Sequence, residues 1–368
     1  MKIAFINGIC VRNDAISSSI RDEIHWLMQA GHDVRFFSYA CDFEDINYIH
    51  VKNESQIILH PFFQEADYIV FHFGVYYGLF NCIMSCPKHS KKFVVFHNIT
   101  PQEFLPSEVR PLIEKSFSQM ANCSFADTII CVSEVNAQVL KNHGIVSKCI
   151  TIPLSFDAPL PPSSKPSFTD DIIRLLFVGR FVQSKNPDDV LKCLHTLVKN
   201  NQDIKIDCTF IGNTSFSDEN IIKYIDDNIK EINNSYPEKM TIRRIGNVSN
   251  KEKWKFYADS DIFILPSQHE GFCVPILEAF SQGCQVISYD NSNIPFISGG
   301  LATLVPTKNL ELLQSSIFNA ILTSKSQLWK EEEYKLFLSK CLAWTNNFST
   351  DKIKKTFIKV FSSSINYI

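Results

Sequence analysis

The sequence shows no excess of charge of either sign, because 36 basic residues are balanced by 39 acidic residues and the net charge is −3 at pH 7. A chain without surplus lysine and arginine lacks the electrostatic footprint of a nucleic-acid-binding protein. It also has no unbroken apolar run of membrane-spanning length, since His72, Gly74, Gly78 and Asn81 interrupt the longest one, 68–84. Neither a nucleic-acid binder nor a membrane-spanning protein is therefore expected.

Other signals are also missing. The N-terminus does not begin with a charged segment followed by an apolar leader, so we expect a cytoplasmic location. The 12 cysteines are scattered, several of them in apolar runs, and no disulfide is expected in that compartment. Cys82, Cys86 and His89 form at most half of a zinc-binding pattern, because no second pair follows, and simple packing is the preferred interpretation.

The 368 residues, 45% of them hydrophobic, are enough for two cores. Apolar strand-like runs alternate with amphipathic helical segments, which predicts an α/β protein with parallel, doubly wound sheets. A stretch rich in proline and serine separates two such halves. We therefore predict a first Rossmann-like domain at 1–156, a linker at 157–171, a second Rossmann-like domain at 172–348, and a last helix within 349–368 that packs back toward the first domain.

Polar residues follow several predicted strands of the first half. Asp14 lies in the loop after the first strand, where open α/β sheets bind ligands, although it could equally cap the next helix. His72 and His97 each end a strand, and Asn98 comes next. A single histidine in such a place is more often structural, but two together suggest a site. The first loop has Gly8 without a G-x-G-x-x-G pattern, which disfavours a nicotinamide-dependent dehydrogenase.

The stretch 261–290 predicts a strand, a loop, a helix that begins near Pro275, and a second strand. A helix start favours a bound phosphate through its free N–H groups and the helix dipole. Glu270 and Glu278 lie eight positions apart and would flank such an anion. Because carboxylates repel phosphate but accept hydrogen bonds from hydroxyl groups, the pattern indicates a nucleotide sugar.

A second cluster begins the second half. An apolar strand ends in Gly179 and Arg180, and Lys185 follows five positions after the arginine. Two fixed cations can stabilise a leaving nucleoside diphosphate without a metal ion, so we expect no metal or other cofactor. The alternative is a pair of solvated surface cations.

These motifs resemble those of a known family. The stretch E-G-F-x-x-P-x-L-E-A-x-x-x-G-x-x-V-I at 270–287 is similar to the E-x7-E signature of retaining glycosyltransferases of family 4, whose two Rossmann-like domains face each other across a cleft in the GT-B architecture. V-G-R-x-x-x-x-K at 178–185 resembles the diphosphate-binding motif of the same family. H-N-I-T-P at 97–101 resembles a motif of one subgroup.

The resemblance implies roles for single residues. Glu270 would contact the transferred sugar, Glu278 the ribose, and His97 would lie beside the transferred sugar. The implied catalytic residues are Glu270, His97, Arg180 and Lys185. The implied donor-binding residues are Gly179, Arg180, Lys185, Val248, Glu270, Gly271, Phe272, Cys273, Val274 and Glu278. We add Asp14, His72 and Asn98 as acceptor-binding candidates.

The function implied is a hexosyltransferase that moves a sugar from a nucleoside-diphosphate sugar to a glycan or lipid-linked glycan with retention of configuration, in bacterial surface polysaccharide or lipopolysaccharide synthesis. An inverting transferase of the same architecture would need a general base in the first domain, such as Asp14 or His97. A glycan phosphorylase would need a cofactor lysine that the sequence does not reveal. A non-catalytic sugar-binding protein and a peripheral contact of the last helix with the cytoplasmic membrane face remain as alternatives.

Overall fold

The computed structural model describes residues 1–12, 14–200, 204–214 and 217–363. The chain divides into two compact units, one formed by Met1–Ser155 with Phe348–Ile368 and the other by Phe156–Asn347. Each unit is built around its own sheet, and every strand pair in the two sheets is parallel. The predicted α/β class with two parallel, doubly wound sheets is confirmed.

The first unit contains a seven-stranded sheet with the strand order β5-β3-β1-β6-β7-β8-β9 and a small ladder of β2 and β4. Its strands are β1 (Lys2–Ile6), β2 (Ile9–Cys10), β3 (Asp33–Ser38), β4 (Ala40–Cys41), β5 (Tyr48–His50), β6 (Tyr68–Phe73), β7 (Lys91–Phe96), β8 (Thr128–Cys131) and β9 (Cys149–Thr151). Its first five helices are α1 (Ala15–Gln29), α2 (Glu54–Ile58), α3 (Pro61–Gln64), α4 (Arg110–Gln119) and α5 (Glu134–Asn142).

Helix α1 begins at Ala15, ahead of the three serines at 17–19. Asp14 is the reason, because its Oδ2 accepts hydrogen bonds from the backbone N and the Oγ of Ser17, both at 2.8 Å. A side chain that satisfies an otherwise unpaired N–H in the first turn stabilises a helix by about 1 kcal/mol. The capping role that the sequence left open for Asp14 is therefore present.

The second unit contains a six-stranded sheet with the strand order β12-β11-β10-β13-β14-β15. Its strands are β10 (Ile173–Val178), β11 (Ile206–Ile211), β12 (Met240–Ile245), β13 (Ile262–Leu265), β14 (Gln285–Asp290) and β15 (Thr303–Pro306). Its helices are α6 (Ser167–Asp170), α7 (Pro187–Asn200), α8 (Glu219–Ser235), α9 (Asn250–Asp259), α10 (Val274–Ser281), α11 (Ile294–Ser298), α12 (Leu310–Lys325) and α13 (Tyr334–Thr345).

The segment 157–171, predicted as a separate linker, is part of the second unit. Lys165 anchors it, because this buried side chain donates from Nζ to the carbonyl oxygens of Tyr257 at 3.2 Å, Ala258 at 3.0 Å and Gln282 at 2.6 Å. These carbonyls lie at the C-terminal ends of α9 and α10, where a cation complements both helix dipoles. Proline and serine content suggested an independent linker, but one buried ammonium group fixes the segment to the second core.

The last helix, α14 (Thr350–Ser363), belongs to the first unit. Its Phe357 packs edge-on against Trp26, with ring centroids 5.9 Å apart, and Phe361 packs against Tyr68 and Phe93 at 5.5 and 5.1 Å. The Tyr68 hydroxyl also donates to the carbonyl oxygen of Phe361 at 3.1 Å. The aromatic face of α14 therefore completes the core of the first unit.

Candidate functional site

Two loops of the second unit bring Lys185 next to Glu270. The first loop follows β10 and contains a short 3₁₀ helix, Gln183–Lys185, and the second loop follows β13. Lys185 Nζ forms an ion pair with Glu270 Oε1. The cation and the carboxylate that the sequence placed in separate motifs are therefore direct neighbours.

Hydrogen bonds between the two loops hold this pair in place. The backbone N–H of Gln268 donates to the carbonyl of Ser184 at 2.8 Å, and Asn186 Nδ2 donates to the carbonyl of Pro266 at 2.7 Å. Gln268 Nε2 in turn donates to Asn186 Oδ1 at 2.8 Å. Because each loop supplies both donors and acceptors to the other, neither is free to move independently.

Arg180 lies two positions after the last residue of β10, and its side chain is exposed. No hydrogen bond or ion pair joins its guanidinium group to the residues that the structure describes. A guanidinium group with five donors and no protein acceptor is available for an anion. The sequence grouped Arg180 with Lys185 as two cations for one diphosphate, and the structure gives one of them a carboxylate partner.

A glycine that the sequence interpretation did not assign shapes this strand edge. A Cβ atom on Gly212, just after β11, would lie 2.1 Å from the carbonyl oxygen of Gly179 and 2.9 Å from the ring of Phe181. Since a backbone oxygen cannot move aside cheaply, the position excludes any side chain. Gly179 itself would bring a Cβ only to ordinary contact, 3.4 Å from the ring of Phe177. The close approach is therefore required at Gly212 and not at Gly179.

Helix α10 begins directly beyond Glu270, as the sequence predicted, with Pro275 in its first turn. Its N-terminal flanking residue, Cys273, is buried and has φ +78° and ψ +59°, the left-handed conformation that favours glycine. Burial, with the nearby Glu270 carboxylate, raises the pKa of the Cys273 thiol well above its ordinary value. The thiol is therefore neutral at physiological pH and behaves as a small apolar group.

The loop in front of α10 is held from the side by the segment after β14. Ser292 Oγ accepts a hydrogen bond from the backbone N–H of Glu270 at 3.1 Å, and Asn293 Nδ2 donates to the carbonyl of Phe272 at 3.0 Å. No side chain among the described residues caps the start of α10. A rigid, uncapped helix start is the arrangement that suits an anion. Gly271 and Val274 lie within this same stretch.

Glu278 lies one turn further along α10 and is buried. Its Oε2 accepts from the hydroxyl of Tyr257 at 2.9 Å, and its Oε1 is paired with Lys253 Nζ at 2.5 Å. Burial and the Glu278 carboxylate raise the pKa of Tyr257 well above its ordinary value, so its hydroxyl keeps its proton and donates. Each glutamate of the motif therefore has a lysine partner, and neither Lys253 nor Tyr257 was identified from the sequence.

Val248 lies half-buried in the loop after β12, next to Ser249, which caps α9. Ser249 and Glu252 form a reciprocal capping box, which fixes the end of this loop. The structure gives Val248 no polar role. An apolar contact with a nucleobase, which the family resemblance implies, stays a prediction.

In the first unit, His72 and His97 come together, as their positions at the ends of neighbouring strands suggested. His72 Nδ1 lies 2.8 Å from His97 Nε2, and the two rings are stacked with centroids 5.1 Å apart. Burial and the adjacent His72 lower the pKa of His97 well below its ordinary value. Asn98, the next residue, has φ +123°, and its carbonyl oxygen lies close to Gly74, 3.1 Å from where a Cβ would be.

Within the described parts of the chain, no cluster of three or more histidine, cysteine, aspartate or glutamate side chains could hold a metal ion. The sequence contains one Asp-x-Asp pattern, Asp259-Ser260-Asp261. Its second aspartate is buried and accepts hydrogen bonds from Ser167 Oγ and from the backbone N–H of Arg174, the latter at 2.8 Å. Asp261 is therefore engaged in holding β10 and α6 in place.

No described helix is both long and apolar enough to cross a membrane.

Residues 163–328, which include both lysine–glutamate pairs, match the family described as glycosyl transferases group 1. A curated relative, the O-antigen chain mannosyltransferase B of Escherichia coli, is 28% identical over 90 residues. That alignment covers 24% of this chain and 23% of the relative.

Solved structures match over the whole length. A sucrose-phosphate synthase from Thermosynechococcus elongatus has a TM-score of 0.73 at 16% identity, covering 99% of this chain and 98% of the other. The lipopolysaccharide outer core galactosyltransferase WaaB has a TM-score of 0.72 at 15% identity, covering 99% and 100%. Anabaena HepE in complex with UDP-glucose has a TM-score of 0.72 at 14% identity, again covering 99% and 100%. The chain has the GT-B fold, and the part of its second unit at 163–328 is similar to the glycosyl transferases group 1.

Proposed function

We propose that the protein is a glycosyltransferase that moves a sugar from a nucleoside-diphosphate sugar to a glycan or lipid-linked glycan, with retention of anomeric configuration. The observation that carries the proposal is the pair of lysine–glutamate contacts, Lys185 with Glu270 and Lys253 with Glu278, beside the uncapped start of α10. Both contacts lie inside the stretch that matches the glycosyl transferases group 1.

The chemistry of these groups suits each part of the donor. A diphosphate would take Lys185 and Arg180 as counter-charges, with the start of α10 supplying backbone N–H groups. Glu270, released from Lys185, would then accept a hydrogen bond from a hydroxyl of the sugar. Glu278 would accept from the ribose, with Tyr257 holding its carboxylate in place. Cations fixed at the leaving group lower the barrier to its departure. We expect this stabilisation to be the largest electrostatic contribution to catalysis at this site.

In the retaining reaction that we propose, the bond from the anomeric carbon to the diphosphate oxygen breaks, and the acceptor oxygen attacks from the same face. The acceptor hydroxyl gives its proton to the departing phosphate oxygen, so no carboxylate nucleophile is needed. We assign donor binding to the second unit and acceptor binding to the first, with His97 and Asn98 as the polar groups of the acceptor side. His72, the third acceptor candidate of this region, is buried, and both of its ring nitrogens lie against Glu23 and His97.

One observation favours an inverting alternative. Because burial keeps the pKa of His97 low, its ring is neutral at physiological pH and could remove a proton from an acceptor hydroxyl. The anomeric configuration of the product distinguishes the two reactions, since retention preserves the configuration of the donor and inversion reverses it. Proton NMR of the newly formed linkage gives this answer directly.

The relatives suggest the acceptor class. One matched protein is named for O-antigen chain synthesis and another for the lipopolysaccharide outer core, which supports a place in bacterial surface polysaccharide synthesis. The proposed location is cytoplasmic, where nucleotide sugars are made. The lysines of α14 are the groups through which a peripheral membrane contact would form.

The test is a thermal-shift panel with UDP-glucose, UDP-galactose, GDP-mannose, ADP-glucose and dTDP-glucose, repeated with Lys185→Ala. We expect one base to stabilise the wild-type protein and to lose most of its effect in the variant. Release of the nucleoside diphosphate in the presence of a lipid-linked acceptor would then measure transfer. Stabilisation by none of these compounds, or equal stabilisation of the variant, would contradict the proposed donor site.

A further inference from the structure

A carboxylate and two histidines form a buried chain in the first unit. Glu23 lies on α1, His72 lies in β6, and His97 directly follows β7. Their exposed fractions are only 5%, 1% and 6%. His72 Nε2 lies 3.1 Å from Glu23 Oε2, and His72 Nδ1 lies 2.8 Å from His97 Nε2. The H-N-I-T-P motif at 97–101 singles out His97, but it does not account for a glutamate on the buried face of α1.

The contact between Glu23 Oε2 and His72 Nε2 is bent. It is nevertheless the polar contact that the described residues offer to each of these two atoms. Neither Glu23 Oε2 nor His72 Nε2 has a well-aligned hydrogen bond within the part of the chain that the structure describes. The other carboxylate oxygen, Oε1, accepts from Ser19 Oγ at 2.8 Å. A buried carboxylate without a donor is costly, so the 3.1 Å contact is the one that compensates Glu23.

The identity of each atom fixes the direction of the chain. An ionised carboxylate only accepts hydrogen bonds, so His72 Nε2 carries the proton of that ring. With one proton on each imidazole, His72 Nδ1 is then an acceptor and His97 Nε2 is the donor to it. His97 therefore keeps its Nδ1 lone pair, and this nitrogen can accept a hydrogen bond from a group other than Glu23 and His72.

We propose that Glu23 and His72 are positioning residues that hold His97 in the Nε2–H tautomer, so that His97 Nδ1 accepts a hydrogen bond from a substrate hydroxyl. The identity of that hydroxyl, on the sugar or on the acceptor, rests on the proposed transferase function. The tautomer does not, because it follows from contacts within the first unit. A histidine in the opposite tautomer would offer the hydroxyl an N–H and would favour a different orientation of it.

The strands explain why these side chains meet. His72 pairs in register with Val95 of the neighbouring strand, so His97 follows two positions beyond and lies at the same sheet edge. Ile20, Ile24 and Leu27 place the buried face of α1 over this sheet, and Glu23 lies on that face. A histidine pair needed only for packing does not require a carboxylate at such a position.

Nitrogen-15 NMR of histidine-labelled full-length protein at about pH 8, where free imidazoles are neutral, tests the tautomer directly. We expect His97 to be protonated at Nε2 and bare at Nδ1, with a scalar coupling across the hydrogen bond to His72 Nδ1. His97→Gln and His72→Phe assign the signals. A His97 protonated at Nδ1, or a His72 protonated at Nδ1, would overturn the proposal.

Variants test whether the chain sets this state. Glu23→Ala and His72→Phe remove an acceptor, and we expect the His97 signals to change to a mixture of tautomers. Glu23→Gln keeps an oxygen that can accept from His72, so we expect it to preserve the wild-type signals. His25→Phe, the same ring exchange on α1 outside the chain, is the matched control. If the His97 signals in Glu23→Ala and His72→Phe match those of the wild type, Glu23 and His72 do not position His97.

Kinetics with the nucleotide sugar selected by the panel test the consequence for transfer. We expect Glu23→Ala and His72→Phe to lower kcat about tenfold or more while the donor KM changes little, with Glu23→Gln and His25→Phe close to wild type. Unchanged kcat in both breaking variants would remove the role in transfer. If no compound supports turnover, the proposed function fails, and the NMR result still decides the tautomer.

Discussion

The ammonium group of Lys185 is paired with the carboxylate of Glu270, although the sequence assigns the first to a diphosphate and the second to a sugar. The two side chains are largely buried, with exposed fractions of 17% and 10%, so solvent screens their attraction only in part. A diphosphate that binds Lys185 must therefore compete with Glu270. In the proposed donor site, binding of the phosphates and release of the Glu270 carboxylate are coupled through this one contact.

We expect Glu270→Gln to separate these two effects. The free nucleoside diphosphate should bind several-fold to about tenfold more tightly, because a competing negative charge is removed from Lys185. The kcat for transfer should fall, because the contact proposed for Glu270 is with the sugar, whose bonding changes in the transition state. Calorimetry with UDP and GDP gives the first quantity and steady-state kinetics the second. Weaker binding of the diphosphate would contradict the competition.

Glu278→Gln should fail differently. In the proposed site Glu278 holds the ribose in the same way throughout the reaction, so losing this contact should raise the donor KM by about tenfold and leave kcat nearly unchanged. Tyr257 can still donate to the amide oxygen, so the fold should be retained. Circular dichroism serves as the control for folding. A fall in kcat at unchanged KM would mean that the roles of the two glutamates are exchanged.

Arg180→Ala and Lys185→Ala should each lower turnover by a few orders of magnitude at most, since each removes about 3 to 4 kcal/mol of leaving-group stabilisation. Arg180 is exposed, so its removal should not alter stability. Lys192→Ala, which removes an exposed lysine paired with Asp188 on α7, is a matched control. Rates equal to wild type in either variant would exclude a role at the diphosphate.

We expect no requirement for a metal ion, because Lys185, Arg180 and the start of α10 would supply the positive charge that a diphosphate needs. Activity should persist in EDTA and should not rise on addition of Mn²⁺ or Mg²⁺. The measurement is turnover after dialysis against the chelator. Activity that disappears with EDTA and returns with Mn²⁺ would show that the protein cations are insufficient.

The left-handed backbone at Cys273 gives a test of the helix start. Glycine adopts φ +78° freely, whereas a β-branched residue is strained there by about 1 to 3 kcal/mol. We expect Cys273→Gly to keep the free energy of unfolding within about 1 kcal/mol of the wild type and to keep donor binding. We expect Cys273→Val to be less stable and to bind the donor more weakly. Urea unfolding and the donor KM measure the two effects. Equal behaviour of the two variants would mean that the conformation of residue 273 does not matter for the site.

The sequence predicted the parts of this structure that depend on local pattern. The strand, loop, helix and strand expected within 261–290 are present as β13, α10 and β14, and the helix carrying Glu278 begins where Pro275 indicated. Lys253 and Tyr257 were missed, because nothing in their spacing shows that one face of α9 meets Glu278. Partner choice between elements depends on packing in three dimensions, which a periodic pattern does not encode.

The same limit explains the misassigned linker and the unnoticed glutamate of α1. A lysine in a proline-rich segment is usually solvated, and only the converging carbonyls of two helix ends make Lys165 a buried anchor. Glu23 lies in an ordinary amphipathic helix, and its relation to His72 spans 49 residues of sequence. In the sequence, Lys165 and Glu23 could be recognised only as charged residues at positions that turn out to be buried.

The return of the chain to its first unit has a consequence for recombination. Because the first unit ends at Ser155 and resumes at Phe348, the second unit, to which we assign donor binding, is an internal segment and not a C-terminal half. A chimaera made at a single junction would also replace Phe357 and Phe361, whose rings fill the core around Tyr68. Exchange of donor specificity between such chains therefore needs two crossover points, with the last helix kept from the parent that supplies the first unit.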